Sequence, residues 1–517
     1  MSFAGLGRRS RARRALAGAA CALALLGSCA LPNARDAAIA PLPAAAASAV
    51  TAAPVGVAGA GGPDGLVARQ AAASAAALAA SQPAARAVAR HVSVIGRQGA
   101  LDSGERTRLL ADTGSQGSAD LLNRQMMAMA HFGEVDLYAH TEAQLLIDGP
   151  ATFASMFDAI GRARHSILLQ SYIIEDSAIA QRLASLLARK RSEGVSVAVL
   201  YDDVGSIGTP AQFFATLRES GIATCAFNPV NPLQRPGYWG INHRDHRKIL
   251  SIDRSVGYTG GINISAVYTS GSFGRARPRT AEDPKASGWR DTQIRLRGPA
   301  VAALDDLVRA TWRAQGCHGE LAAPTMAVGH AVAGGRELVR IVPASPNDGL
   351  NRIYALLLAA IHNAQRSVYL TMAYFAPGDD MVDALCQAAL RGVDVQLVLP
   401  SMSDFAPVLH AGRSHYQRLL DAGVQLHELQ DAVLHSKTAV IDGVVSTVGS
   451  SNMDWRSFVA NDEVNAVVLG EDFGDAMTRM FHQDVAASTR ITPEAWAARP
   501  WSQRLREVLS RAFEPLW

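Results

Sequence analysis

The segments HRKILSID at residues 246–253 and HSKTAVID at residues 435–442 decide how this chain folds. Both follow the pattern HxKxxxxD, and each carries an apolar stretch between its lysine and its aspartate, which predicts a buried strand. Side chains alternate along a strand, so a histidine and a lysine two residues apart share one face. The sequence therefore predicts two equivalent strands, each presenting an imidazole beside an ammonium.

An imidazole beside an ammonium is suited to an anion that carries several oxygens. The lysine neutralises charge, while the histidine can attack or transfer a proton, and a phosphate diester meets this description. A turn of small residues ending in Asn follows each strand, GGIN at 260–263 and GSSN at 449–452. Such turns let backbone approach a ligand, and the Asn amide can donate to a phosphoryl oxygen. We therefore expect Asn263, Ser450 and Asn452 to bind substrate.

Other segments also occur twice and in the same order. AIGRARHSI from Ala159 is repeated as AIHNAQRSV from Ala360, and GVSVAVL from Gly194 as GVDVQLV from Gly392. Each half reads as helix, strand, helix, strand and then the HxKxxxxD strand, which predicts an α/β fold with mixed sheets. We expect two α/β/α sandwich domains related by a pseudo-twofold axis, with a single active site at their interface.

The length and composition of the chain suggest five segments. The 517 residues accommodate two domains with substantial cores, a leader and a linker. The Ala-, Pro- and Gly-rich stretch after the leader suits a disordered tether. The predicted segments are a lipoprotein-type signal peptide at 1–28, an Ala-rich tether at 29–95, a helical lead-in at 96–132, a first domain at 133–325 and a second at 326–517.

The first residues resemble a bacterial secretory signal. Five arginines precede an apolar run from Ala15 to Leu26, and LGSC follows, ending at Cys29. This layout resembles a lipobox and predicts lipidation of Cys29, with an ordinary signal peptide cleaved further along or an uncleaved anchor as alternatives. Because Ala30 follows the cysteine, we expect an exported cell-envelope lipoprotein in the outer membrane, facing the periplasm. Loss of five arginines and no acid would change the net charge from +3 to −2, which disfavours nucleic acid as a partner.

The two motifs resemble the catalytic motifs of the phospholipase D superfamily, and the chain is most similar to bacterial cardiolipin synthases. Further matching segments occur in the same order: YDDVG at 201–205, FNP at 227–229, WRD at 289–291 and GSSNMDWRS at 449–457. The resemblance implies a phosphatidyltransferase that works through a phosphohistidine and converts two phosphatidylglycerol molecules to cardiolipin and glycerol. It also implies His246 as nucleophile and His435 as acid and base, although the residues leave the reverse assignment open.

The remaining polar residues of the motifs receive supporting roles. Lys248 and Lys437 are expected to hold the non-bridging oxygens. Asp291 and Glu463 resemble the orienting acids of the superfamily, which fix the tautomer of each imidazole. The motif aspartates, Asp253 and Asp442, are expected to stabilise their strands through buried hydrogen bonds. No cofactor is expected, and no metal site either, because neither CxxC nor HExxH spacing occurs.

Three cysteines follow the predicted signal and lipidation site: Cys225, Cys317 and Cys386. Their odd number argues against a disulfide framework, and we interpret all three as buried small apolar residues.

The expected partners are phospholipids, with phosphatidylglycerol first, and a membrane surface contacted by residues 238–240 or 374–377, although core packing is the preferred interpretation of 374–377. We expect a monomer that does not bind nucleic acid. Other functions fit the same residues: a secreted phospholipase D that releases phosphatidic acid, a phosphodiesterase or nuclease, and a non-catalytic lipid-binding protein. The last would be expected to have lost a motif histidine or lysine, and this chain retains all four.

Overall fold

Both motifs lie in one continuous mixed sheet. A computed structural model describes residues 92–96, 99–100, 119–130, 135–231, 242–272, 288–319, 321–324, 332, 335–348 and 350–514, all of which fall within one compact unit. The predicted signal peptide, Cys29 and residues 238–240 lie outside these ranges.

The strands are β1 Val92–Gly96, β2 Gly99–Ala100, β3 Val135–Ile147, β4 Ser166–Ser171, β5 Ser196–Asp202, β6 Ala223–Phe227, β7 Arg244–Asp245, β8 Ile249–Ile252, β9 Val256–Gly260, β10 Trp289–Arg290, β11 Thr292–Arg297, β12 Glu337–Ala344, β13 Ser367–Met372, β14 Asp394–Pro400, β15 Gln425–Leu429, β16 Val433–Leu434, β17 Lys437–Ile441, β18 Val445–Gly449, β19 Asn461–Leu469 and β20 Ser488–Ile491. The α-helices are α1 Ala119–Ala130, α2 Asp148–Gly161, α3 Ala178–Ser192, α4 Ala211–Glu219, α5 Val301–Ala314, α6 Arg352–Asn363, α7 Asp379–Leu390, α8 Ala406–Arg413, α9 Tyr416–Asp421, α10 Trp455–Val459, α11 Glu471–Ala486, α12 Pro493–Ala497 and α13 Trp501–Ala512.

The strand order repeats between the halves. In the first half it is β6-β5-β4-β8-β9-β11-β3, and in the second β15-β14-β13-β17-β18-β19-β12. The three strands at the outer end of each half are parallel and the others antiparallel. Antiparallel pairing of β3 with β12 joins the halves into one sheet. The predicted fold class, a duplicated α/β architecture with mixed sheets, is confirmed.

Helices cover both faces of this sheet. Helices α2, α3 and α4 pack on one face of the first half, and α6, α7 and α9 on the second. On the opposite face, α5 and α11 share one apolar core with strands of both halves, including Leu304 of α5 and Met477 of α11. Because both faces are covered, β4 is buried along its whole length, which explains its apolar sequence. The shared core holds the two halves as one body.

The local positions of the motifs differ from the sequence expectation in one respect. Strand β8 begins directly after Lys248, and β17 begins at Lys437. Both histidines therefore lie just before their strands, on connections from the short strands β7 and β16. Each half also inserts a further helical segment and strand before its motif, which the predicted element order lacked.

The predicted boundary between tether and lead-in is wrong by a few residues. Residues Val92–Gly96 form β1 and pair in parallel with β3, with Val92 opposite Val135. The alternating β-branched residues Val92 and Val94 favour a strand over a disordered linker. The described part of the helical lead-in contains one helix, α1.

The interpretation of the cysteines is wrong for Cys225 and Cys317 and correct for Cys386. Cys225 of β6 and Cys317, just beyond α5, form a disulfide with their Cα atoms 5.6 Å apart, while Cys386 is a buried free thiol. An odd count excludes a fully paired set but not a single bridge. Helix α5 packs across the sheet and ends beside the edge strand β6, which brings together two cysteines separated by 92 positions.

Candidate active site

Two short parallel strand pairs cross between the halves and position the histidines. Strand β7 pairs with the start of β19, and β10 pairs with β16. Directly beyond these pairs, the His246 N–H donates to the Asp462 carbonyl at 2.9 Å, and the His435 N–H donates to the Arg290 carbonyl at 2.8 Å. Each histidine is therefore anchored to the backbone of the other half, beside the next residue along that part of the chain.

Those following residues are the two predicted acids. The carboxylate of Glu463 lies 3.0 and 3.1 Å from Nδ1 of His246, and Oδ2 of Asp291 lies 2.7 Å from Nδ1 of His435. Both carboxylates are fully buried. Each half thus supplies the acid for the other half's histidine, an exchange that the sequence did not indicate. With Nδ1 bonded to an acid, Nε2 is the nitrogen left for chemistry.

Backbone and ion-pair contacts lock the strands that carry this arrangement. Arg247, between the first histidine and lysine, bonds Asp245 at 2.7 Å and reaches across to Asp462 at 2.9 Å. On the other side, Arg290 bonds Asp484 at 2.7 and 2.8 Å through two nitrogens. Both guanidiniums are buried, and paired buried charges of this kind fix geometry. They hold β7 against β19, and β10 against α11.

The two lysines lie in the same buried cluster. Lys248 Nζ donates to the carbonyl of His246, and Lys437 Nζ donates to the carbonyl of His435. Burial lowers the pKa of Lys248 to about 7 and that of Lys437 to about 8, while Glu463 and Asp291 oppose the shift. The charge of Lys437 also lowers the pKa of Lys248. An anion between the two would stabilise both ammonium forms.

The pKa values of the two imidazoles also reflect charges from both motifs. Burial lowers the pKa of His246 well below its usual value, and Lys248, Lys437 and His435 lower it further. Burial and Lys437 also lower the pKa of His435, but Asp291 opposes that shift. The first imidazole is therefore neutral at neutral pH and has a free lone pair. Because the charges of both motifs act on His246, the two motifs lie close together in the fold.

The predicted substrate-binding serine has a different contact. Ser450 donates its hydroxyl to Oε2 of Glu463 and accepts from the Val464 N–H at 3.0 Å. Gly261 takes its place in the other half, where an added Cβ would come within 2.1 Å of Asp291 Oδ1. The close approach of Asp291 therefore requires glycine. Burial raises the pKa of Glu463 to about 7, and the Ser450 hydroxyl opposes that shift.

The two asparagines are placed beside the site in different ways. Asn263 donates to the Tyr268 hydroxyl at 3.3 Å, and that hydroxyl lies 3.2 Å from Nδ1 of His435. The Asn263 carbonyl oxygen accepts from the Ile173 N–H at 3.1 Å. Asn452 donates its backbone N–H to Ser457, and its side-chain oxygen is buried with no bonding partner among the described residues. Asn263 thus acts on His435 through Tyr268.

The motif aspartates lie at the far ends of their strands. Asp253 accepts from the N–H groups of Arg164, His165 and Ser166 at 2.7–2.8 Å. Asp442 accepts from those of Gln365, Arg366 and Ser367 at 2.7–3.2 Å. Each carboxylate therefore ties the end of its motif strand to the start of the neighbouring strand, as expected of groups that stabilise rather than transfer protons.

Aromatic residues that sequence reasoning did not select surround the imidazoles. Tyr172 lies edge-on to His246, with ring centroids 4.9 Å apart. Trp289 and Tyr268 lie 5.1 and 5.9 Å from His435. Trp289 belongs to the WRD segment, whereas the two tyrosines follow no motif spacing. They desolvate the site, which strengthens its electrostatic interactions.

The described residues contain neither a metal-binding cluster nor a membrane-spanning helix. No group of three or more His, Cys, Asp or Glu side chains in these ranges is arranged to hold a metal ion. In the same part of the chain, every helix is too short or too polar to cross a membrane.

The chain matches known proteins along most of its length. A family model described as "Cardiolipin synthase, PLD-like domain" matches residues 156–273 and 357–485. Cardiolipin synthase of Geobacillus sp. (strain WCH70) is 33% identical over 395 residues, 76% of this chain and 76% of that protein. Cardiolipin synthase 2 of Bacillus anthracis is 34% identical over 386 residues, 74% of this chain and 72% of that protein. Cardiolipin synthase A of Pseudomonas putida (strain W619) is 33% identical over 394 residues, 76% of this chain and 78% of that protein.

A solved structure shares the fold. The crystal structure of phosphatidylserine synthase from Haemophilus influenzae Rd KW20 has a TM-score of 0.51 and 12% identity, and covers 72% of this chain and 93% of that chain.

The predicted localisation is wrong. The curated relatives that match about three quarters of the chain are named cardiolipin synthases, and none of those names describes an exported outer-membrane lipoprotein. The short apolar run that suggested export lies outside the described residues.

These relatives cover both halves, so the family is established for the duplicated body and not for one repeat alone. The predicted resemblance is confirmed, and the relatives support the prediction that the chain is an enzyme. The chain belongs to the cardiolipin synthase family of phospholipase D-like proteins.

Proposed function

We propose that the protein converts two molecules of phosphatidylglycerol to cardiolipin and glycerol through a phosphatidyl-histidine intermediate. The observation that carries this proposal is the exchanged pairing of each imidazole with a buried carboxylate, Glu463 for His246 and Asp291 for His435. Two oriented imidazoles in one site suit a displacement in two steps, because one can bond to phosphorus while the other moves the proton.

In the first step, Nε2 of His246 attacks the phosphorus of one phosphatidylglycerol. The bond from phosphorus to the headgroup oxygen breaks, and protonated His435 gives that oxygen a proton as glycerol leaves. Glu463 accepts a hydrogen bond from Nδ1–H of His246 and stabilises the positive charge that the ring acquires. Lys248 and Lys437 hold the non-bridging oxygens, and the anionic substrate between them raises the pKa of His435 towards the protonated form.

In the second step, the free headgroup hydroxyl of another phosphatidylglycerol gives its proton to His435 and attacks the same phosphorus. The phosphorus–nitrogen bond breaks, cardiolipin leaves, and neutral His246 is restored. One diester is made for each diester broken, so no nucleotide is consumed. The lowered pKa of His246 supports its role as nucleophile, and the contact of His435 with Asp291 supports its role as acid and base.

The reaction is tested with purified protein and radiolabelled phosphatidylglycerol, followed by separation of the lipids. The proposal expects labelled cardiolipin and free glycerol in equal amounts. Accumulation of phosphatidic acid would assign a hydrolase instead, and unchanged substrate would contradict both. The intermediate is sought by quenching in alkali, in which phosphoramidates on histidine survive, and identifying a phosphatidyl adduct on the peptide that contains His246.

Matched histidine variants separate chemistry from folding. His246→Ala should form neither adduct nor cardiolipin, whereas His435→Ala should slow both steps. His482→Ala is the control because His482 is exposed on α11. An adduct on His435 and none on His246 would reverse the assigned roles.

A further inference from the structure

The last helix of the described chain, α13, is amphipathic, but its polar face is turned inward and its apolar face is turned to solvent. Its inward positions are polar: Glu507 is buried and bonds Arg499 at 3.1 Å. Just beyond the helix, buried Glu514 lies 3.0 and 3.1 Å from His415 Nε2 and accepts from the Gly378 N–H at 3.1 Å. The polar side of the helix is therefore used to attach it to the second half.

The solvent side of α13 is apolar. The exposed residues are Trp501 at 76%, Leu505 at 49%, Val508 at 67%, Leu509 at 55% and, directly after the helix, Phe513 at 50%. At 3.6 residues per turn, these five side chains fall within an arc of about 140°. They make up five of the nine large apolar residues that are exposed in the described part of the chain. A contiguous patch of this kind marks a surface that meets an apolar partner.

Arginines border the apolar arc. Arg504 and Arg511 lie along one edge and Arg506 along the other, and all three are exposed. Arg511 pairs with Asp379 at 3.0 Å, but both side chains are largely exposed, so that pair contributes little. Trp, Leu and Phe on one face with arginines at its edges are the composition of a helix that lies in a membrane interface. The arginines fit anionic headgroups, while the apolar side chains enter the acyl region.

The position of α13 connects this surface to the site. The helix packs against α8, and α8 begins next to Asp404 and the exposed Phe405. Asp404 accepts from the Tyr374 hydroxyl at 2.6 Å and raises the pKa of Lys437, so the start of α8 lies within electrostatic reach of the catalytic cluster. A bilayer on α13 would thus bring lipid headgroups towards the end of α8 that borders the site.

We propose that α13 is a docking surface for an anionic phospholipid bilayer, with Trp501, Leu505, Val508, Leu509 and Phe513 inserted at the interface. This inference goes beyond the proposed reaction and does not require it. Residues 374–377, which the sequence suggested for membrane contact, do not supply such a surface, because Phe375 and Ala376 are buried.

Docking is measured by flotation of the full chain with two kinds of vesicle, phosphatidylcholine alone and phosphatidylcholine with phosphatidylglycerol in equal parts. We expect Leu505→Gln/Val508→Gln/Leu509→Gln to weaken binding to the mixed vesicles about tenfold or more, because three apolar side chains no longer leave water. Leu390→Gln is the matched control, since Leu390 is exposed at 73% but stands alone on α7. Arg504→Gln/Arg511→Gln should weaken binding to the mixed vesicles more than to phosphatidylcholine alone.

A local readout separates α13 from any other segment that holds the chain on vesicles. Tryptophan fluorescence is quenched with brominated phosphatidylcholine in the mixed vesicles, and the share of Trp501 is obtained by comparison with Trp501→Phe. Stronger quenching in the parent chain supports insertion of α13; equal quenching in the two proteins would overturn the proposal. The chain could instead self-associate, with the triple variant abolishing that association and Trp501 remaining unquenched. The surface would then bind a second copy of the chain, and the proposal would also be overturned. The same experiment on the His246→Ala protein measures docking in a variant that is not expected to form cardiolipin.

Discussion

The carboxylate of Glu463, in the second half of the chain, lies 3.0 Å from Nδ1 of His246 in the first half. The reciprocal contact joins Asp291 to His435 at 2.7 Å. Neither half therefore contains a complete pair of imidazole and acid, and the site exists only where the halves meet. We therefore expect a substitution in either motif to impair the same site.

Replacing the acid beside the nucleophile should affect chemistry without affecting folding. We expect Glu463→Gln to slow adduct formation about 10²–10⁴-fold, because an amide of the same size does not enforce the Nδ1–H tautomer or stabilise the charged ring. Single-turnover kinetics measure the rate, and circular dichroism measures the fold. Glu142→Gln, which changes a partly exposed carboxylate on β3, is the control. Adduct formation at the parental rate would show that His246 does not depend on this carboxylate.

The hydroxyl of Ser450 tunes that carboxylate. It lowers the pKa of Glu463, which burial raises to about 7, so Ser450→Ala should raise that pKa further. A carboxylate is needed to hold Nδ1–H, and the ascending limb of kcat/KM against pH should then move to higher pH. Ser451→Ala is the neighbouring control, because its hydroxyl bonds only the Asn452 carbonyl among the described contacts. An unmoved ascending limb in Ser450→Ala would contradict this role.

The lysines should set a descending limb well below the ordinary lysine range. Burial lowers the pKa of Lys248 to about 7 and of Lys437 to about 8. As pH rises through these values, the free enzyme loses the ammonium charges that bind an anionic diester. The descending limb of kcat/KM should therefore fall near pH 7–8, whereas kcat should persist to higher pH because bound substrate stabilises the charged forms. A kcat/KM that stays level up to pH about 10 would exclude titration of these lysines.

The motif aspartates should prove structural. Asp253 and Asp442 have φ angles of 50° and 56°, a region that Asn also tolerates, so Asp→Asn removes charge without backbone strain. We expect each substitution to lower the free energy of unfolding by about 1–3 kcal/mol, since hydrogen bonds to a charged acceptor are weakened. Urea denaturation measures the loss, with exposed Asp475→Asn as the control. Full stability with lost turnover would instead assign these residues to the chemistry.

The disulfide should contribute to the stability of the first half. Cys225 and Cys317 close a loop with a sequence separation of 92, and breaking such a bridge should cost about 2–4 kcal/mol. Reductant should therefore lower the Tm of the parent chain and leave that of Cys225→Ser/Cys317→Ser unchanged. Cys386→Ala, which removes a thiol outside the bridge, should keep the response to reductant. If reductant left the Tm of the parent chain unchanged, the disulfide would contribute nothing to stability.

Sequence reasoning succeeded where a local pattern has one physical interpretation. The apolar stretches after Lys248 and Lys437 became the buried strands β8 and β17, and the repeated segments became equivalent helices and strands. It failed for Cys225 and Cys317, because the number of cysteines gives no information about the distances between them. Sequence reasoning made no prediction for α13, because the alternation of polar and apolar residues is the same whichever face of a helix turns inward.

The amino-acid sequence is sufficient to predict a duplicated α/β chain with two histidine–lysine motifs, because hydrophobic periodicity and repeated spacing are local properties. The tertiary structure decided the exchange of Glu463 and Asp291 between the halves, the role of Ser450 as a support for Glu463, and the outward apolar face of α13. Each of these depends on which surfaces meet across the sheet and the shared core. Such contacts, whether 217 positions apart as for His246 and Glu463 or 13 positions apart as for Ser450 and Glu463, leave no local pattern along the chain.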